Sequence, residues 1–200
     1  MLRWLAAATL CVLFGFGACA PRLDPQDSCN FSQNSEKQRV SWKGHLPIPI
    51  YLHSSVPIQY RQAILDAMNT WAEELQQPVF TLAGVSNGSL SAAGQDGYSV
   101  IYWMDNWPNE YEQARTTIYW VGSEIREADI RINGDLSMSG GEELIPGYVD
   151  MESLMLHELG HVLGLAHNHD FSSIMVETLA TATARRELSN TDRQSLACEY

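Results

Sequence analysis

Apolar residues along this chain recur at two spacings, and the switches between them mark the elements. From Ile48 to Leu52 they alternate and read as a strand, with Pro49 favouring a strand start or an edge. Pro57 suits a first helical turn. Tyr60, Ile64, Ala67, Met68, Trp71 and Leu75 then fall on one helical stripe, which predicts a long helix laid on a core. Val79 to Ala83 is a short strand candidate, and the Gly-, Ser- and Asn-rich run from Gly84 to Gly97 reads as loop. Tyr98 to Trp103, Thr116 to Trp120 and Ala128 to Ile132 are further β-prone runs. Gly134 to Gly147 is a second Gly-rich connection. Asp150 is placed to cap a helix starting at Met151. Ser189 and Asp192 have the form of a capping box, with Asp in place of Glu, at the start of a last helix. The sum is a sheet with a few helices in one α/β or α+β domain, as a length of 200 residues allows.

The N-terminal end departs from this pattern. Arg3, an apolar stretch from Leu5 to Phe16, and the small residues Gly17, Ala18, Cys19 and Ala20 have the layout of a secretory signal. The stretch is too short to span a bilayer comfortably. Two cleavage sites fit. Phe16-Gly17-Ala18-Cys19 resembles a bacterial lipobox, giving a signal over 1–18 and a lipid on Cys19. Ala18-Cys19-Ala20 fits ordinary cleavage after residue 20. The expectation is therefore an exported protein, lipid-anchored to a bacterial cell envelope or freely secreted. Residues 19–44 are polar and read as a tether or lead-in, with the functional domain over 45–200.

Charge narrows the partners. A formal net charge of -12 and a pI near 4.8 exclude the basic surface that nucleic acid requires and charge-driven binding to an anionic membrane. Cys29 and Cys198 remain in the mature chain, near its two ends. In an exported protein an even pair suggests a disulfide. Two free thiols, or Cys29 as a thiolate on a metal, are the other readings.

The stretch with chemical content is His157-Glu158-Leu-Gly-His161-Val-Leu-Gly164-Leu-Ala-His167. Two histidines four apart share a helix face, so both imidazoles reach one zinc ion. Continuing the helix cannot bring a third. Gly164 tolerates the backbone turn that lets the chain come back with His167. Three neutral imidazoles leave a fourth position open, the mark of a catalytic zinc site. Glu158, beside the first ligand in sequence, is positioned as general base. A bare His-Glu-x-x-His arises by chance; the added Gly164 and His167 make the signal far more specific.

These residues resemble the metzincin signature, and Met175, eight positions after His167 in Ser172-Ser173-Ile174-Met175, is similar to the methionine turn of matrixins. Ile48 to Leu75, Ala114 to Asn133 and Leu188 to Leu196 also resemble matrixin elements. The resemblance implies a twisted mixed sheet with long helices and a zinc cleft between upper and lower subdomains. It also implies one catalytic zinc held by His157, His161 and His167, Met175 as a packed floor, and a polypeptide substrate lying along an antiparallel edge strand, by position Thr116 to Trp120.

Four features depart from the family pattern. Asn168 stands where Ser is usual, no Pro closely follows Met175, no Pro-Arg-Cys-Gly-like switch is recognisable, and the His-x-Asp cluster of the structural zinc is missing. No second zinc is expected, and Asp135, Glu142 and Glu143 give only a faint hint of calcium. The reading is a monomeric zinc metalloendopeptidase. The alternative is an exported zinc-holding protein for binding or adhesion, which has no need of Glu158.

Overall fold

The computed structural model describes residues 29–88 and 94–200. The signal segment and Cys19 lie outside them. Strands Ile48–His53 (β1), Phe80–Ser86 (β2), Ser99–Met104 (β3), Ala114–Val121 (β4) and Glu124–Asn133 (β5) form one sheet in the order β2-β1-β3-β5-β4. Helix Arg61–Leu75 (α1), preceded by a 3-10 turn over Ile58–Tyr60, connects β1 to β2. A two-stranded pair, Met138–Ser139 (β6) with Val149–Asp150 (β7), leads into helix Met151–Val162 (α2), and Asn190–Leu196 (α3) is the last helix. This is the mixed α/β fold expected from the sequence: β1, β2, β3 and β5 run parallel, and only β4 is antiparallel to its neighbour. Parallel neighbours need crossovers, and α1 supplies the first.

Helices α1 and α2 pack together over the sheet. The stripe residues Ile64, Ala67, Met68 and Trp71 are buried in one apolar cluster with Leu156 and Leu159 of α2 and Ile130 and Ile132 of β5. Trp71 is fully enclosed, and its Nε1–H donates to the Leu156 carbonyl at 3.2 Å. Both caps form as expected. Asp150 accepts the Ser153 N–H at 3.0 Å, and Ser189 and Asp192 make a reciprocal capping box.

Residues 29–44 differ from the loose lead-in expected. Cys29, Phe31, Val40 and Trp42 are buried. Phe31 bridges to Leu165, Ser41 bridges to Glu124, and the Trp42 Nε1–H donates to the Val162 carbonyl at 2.8 Å. Cys29 is joined to Cys198 by a disulfide with Cα atoms 5.8 Å apart. A few well-spaced apolar side chains and one cross-link bind this polar stretch to the domain, so the packed unit reaches back at least to Cys29. Bridging two residues 169 apart stabilises by about 4–5 kcal/mol in the chain-entropy account.

Candidate metal centre and cleft

His157 and His161 project from the same face of α2, one turn apart. After Leu163 the chain turns at Gly164, whose φ of +98° is the conformation that favours glycine. A Cβ there would also overlap the Val40 carbonyl oxygen and come within 3.3 Å of Phe31 Cδ1. The turn is held from outside by residues 30–32: the Ser32 N–H donates to the Gly164 carbonyl at 2.8 Å, and the Ala166 N–H donates to the Asn30 carbonyl at 2.8 Å. His167 then returns to the face of α2, as the spacing predicts.

The three Nε2 atoms lie 3.0 Å (157–161), 3.0 Å (161–167) and 3.2 Å (157–167) apart. The Nδ1 of His157 is 2.6 Å from the Ile174 carbonyl and that of His161 is 2.8 Å from the Leu165 carbonyl. A carbonyl can only accept, so each Nδ1 carries the proton and each Nε2 offers a lone pair. Burial pushes both imidazoles down to about 4, which keeps them neutral at ordinary pH. The Nε2 lone pairs of His157 and His161, 3.0 Å apart, repel unless a cation lies between them. Ligands of a tetrahedral zinc at about 2.0–2.1 Å sit roughly 3.3 Å from one another, near the separations found. The donor set fits zinc.

Glu158 is 4% exposed. Its Oε2 accepts the Thr116 hydroxyl at 2.6 Å across from β4. Burial raises its pKa, and the neighbouring His161 and the Thr116 hydrogen bond pull the other way. Met175 is buried beneath α2, and a Cβ at Gly160 would overlap its sulfur, so the helix rests on it. Gly160 thus has a reason that spacing alone did not reveal.

The histidines open into a cleft of about 570 Å³. One wall is β4, with Ala114, Arg115, Thr116 and Ile118. The other comprises Val176 to Leu179 and Arg185. β4 is an edge of the sheet, as the position of Thr116 to Trp120 suggested.

Other expectations fall elsewhere. Asp135 is occupied, accepting the N–H groups of Asn106 (3.1 Å) and Trp107 (2.7 Å). Glu142 is an exposed ion-pair partner of Arg186 at 3.5 Å, so calcium has no support at these groups. His45 pairs with Glu124 at 3.3 Å on the surface, and His53 is buried between Ser55 and the Gly88 carbonyl. Asn168, where the family has Ser, donates to Ser173 Oγ at 2.7 Å within the methionine turn. Thr116 as partner of Glu158, Arg185 in the cleft wall and Asp192 under the methionine turn were not identified from sequence. All three act across long separations.

A helix-borne His-Glu-x-x-His, a third histidine returned by a glycine turn and a methionine floor beneath them, on a mixed sheet, form a metzincin-type arrangement compatible with zinc. The comparisons narrow the class. The family profile described as Matrixin matches residues 28–200, and the chain belongs to the matrixin family. Metalloendoproteinase 2-MMP of Arabidopsis thaliana is 40% identical over 52 residues, 26% of this chain and 14% of that protein. Metalloendoproteinase 1 of Glycine max is 32% identical over 74 residues, 37% of this chain and 20% of that protein. The matches thus span a fifth or less of either relative's length.

Proposed function

We propose that this chain is a zinc-dependent endopeptidase in which His157, His161 and His167 hold the ion through Nε2 and Glu158 is the general base. The observation that carries the reading is the convergence of three imidazole Nε2 atoms beside a buried carboxylate. Zinc, when bound, supplies Lewis acidity that acidifies water and polarises a peptide carbonyl. The Ile174 and Leu165 carbonyls fix the tautomer and direction of two ligands. Glu158 accepts the proton of the attacking water and passes it to the leaving amine. The Thr116 hydroxyl keeps the carboxylate turned to the cleft. The free edge of β4 offers main-chain hydrogen bonds to an extended polypeptide.

Export, by a lipid on Cys19 or by free secretion, completes the proposal. It rests on the signal-like segment, and mass spectrometry of the mature N-terminus tests it. Acylated Cys19 supports the anchor, and an unmodified Pro21 start supports secretion.

The central test is Glu158→Ala. Zinc is expected to stay bound at one per chain while peptide hydrolysis falls by about 100- to 10,000-fold. Hydrolysis that survives the change sinks the assigned mechanism. Stoichiometric zinc without chelator-sensitive cleavage of a mixed peptide library leaves the zinc-holding binding protein as the better reading.

A further inference from the structure

Of the five carboxylate and guanidinium side chains that line the cleft, Glu112, Arg115 and Glu158 are held by neighbours. Arg115 donates from Nε and Nη2 to the two oxygens of Glu112, both at 2.8 Å. Glu158 is held by Thr116. Arg186, next in the chain to Arg185, is tied to Asp150 at 2.6 Å and to Glu152 at 3.2 Å.

Arg185 is different. Its backbone N–H donates to Ser153 Oγ at 2.7 Å, which fixes the chain against the first turn of α2. Its guanidinium donates from Nη1 to the Ser173 carbonyl at 3.3 Å and makes no ion pair among the described residues. Glu177, the carboxylate on the same wall, is exposed and does not pair with it. A guanidinium has five N–H donors in a planar fork that matches a carboxylate. Here that fork is half-buried, lines the cleft near His157, and belongs to a protein with net charge -12. A carboxylate entering this part of the cleft gives these donors charge-assisted partners, which a neutral side chain does not.

We propose that Arg185 makes this a cleft for peptides bearing an aspartate or glutamate beside the scissile bond. The inference rests on the peptidase reading of the same cleft, and the test separates the two. Zinc-loaded protein carrying Glu158→Ala binds peptides without turnover. Against it a randomised hexapeptide library is selected, and bound peptides are sequenced by mass spectrometry. Asp and Glu are expected to be enriched over Asn and Gln at one position by about tenfold or more. Arg185→Leu in the same background should abolish the enrichment. Arg185→Glu should replace it with enrichment of Lys and Arg at that position, a gain that a misfolded protein cannot produce. Zinc content at one per chain verifies each variant. Absence of acidic enrichment, or enrichment that survives Arg185→Leu, overturns the proposal. Cleavage of the same library by the unmodified protein reads the activity separately. Cleavage without acid selectivity sinks only this inference, and acid-selective binding without cleavage sinks only the peptidase reading.

Discussion

The carboxylate of Asp192 accepts the backbone N–H of Ile174 at 3.1 Å, and Ile174 is the residue whose carbonyl receives Nδ1 of His157. The same carboxylate takes the Ser189 N–H at 2.8 Å as part of the capping box and the hydroxyl of Ser173 on its other oxygen. Ser173 Oγ in turn accepts from the Met175 N–H at 2.9 Å and from Asn168 at 2.7 Å. One buried side chain therefore joins the cap of α3, the methionine turn and His157.

Removing that side chain strands several donors where water does not reach. Asp192→Ala is expected to destabilise the protein by about 3–5 kcal/mol. It should also weaken zinc binding by about 10- to 100-fold, because the partner that orients His157 is released. Denaturant melts with and without zinc, and competition against a chromophoric chelator, read the two effects separately. Unchanged zinc affinity in a folded Asp192→Ala protein would show that Ile174 is held in place by something else.

The side chain of Thr116 reaches the reaction through Glu158, which gives it a distinct signature. Thr116→Val keeps the shape of the side chain and deletes the 2.6 Å hydrogen bond. Turnover should fall by about tenfold, the equivalent of one hydrogen bond to a charged group. Zinc content should stay at one per chain and KM should change little. A larger loss in KM than in kcat would place Thr116 in substrate binding instead.

Gly164 tests the turn that returns His167. Alanine there meets both a disfavoured φ of +98° and the Val40 carbonyl. A control separates the two causes. Gly122 has φ of +63° and nothing within 4 Å of a built Cβ, so Gly122→Ala carries the conformational cost without the overlap. Gly122→Ala should cost about 1 kcal/mol. Gly164→Ala should cost at least about 2–3 kcal/mol and should also lower zinc occupancy. Equal effects from the two changes would mean that Val40 moves aside freely.

These relationships show which parts of the molecule are legible in a linear sequence. The convergence of His157, His161 and His167 is, because helix periodicity and one glycine convert fixed spacings into a shared point in space. The strands and the stripe from Tyr60 to Leu75 are, because burial repeats with the element's own period. The packing of residues 29–44 is not. Phe31, Val40 and Trp42 stand singly among polar residues, and their partners Leu165 and Val162 lie more than a hundred positions away. Asp192 reads as a helix cap, which it is, but its second task depends on a loop that no local pattern brings near. Arg185 and Arg186 look alike in sequence. Only the fold gives one a carboxylate and leaves the other facing the cleft.

The last prediction concerns Asp129, on the sheet face opposite the helices. It is 1% exposed; Oδ1 accepts the Val100 N–H at 3.2 Å, and Oδ2 has no hydrogen-bond partner among the described residues. Burial raises its pKa from 3.8 to about 6, with the Val100 N–H and Arg131 opposing and Glu127 adding to the rise. An unfolded aspartate titrates near 3.9. Between about pH 4 and 6 the folded protein therefore holds a proton that the unfolded chain has released. Stability must fall as pH rises through that window, and the loss persists above it. Asparagine keeps the acceptor for Val100 and never ionises. Asp129→Asn should raise the melting temperature at pH 7.5, with the advantage shrinking towards pH 4, where Asp129 is itself protonated. Taking the difference between variant and parent at each pH cancels the acid sensitivity that both share through the histidine cluster. A difference that stays flat from pH 4 to 8 would mean that Asp129 titrates in the folded protein as it does in the unfolded one.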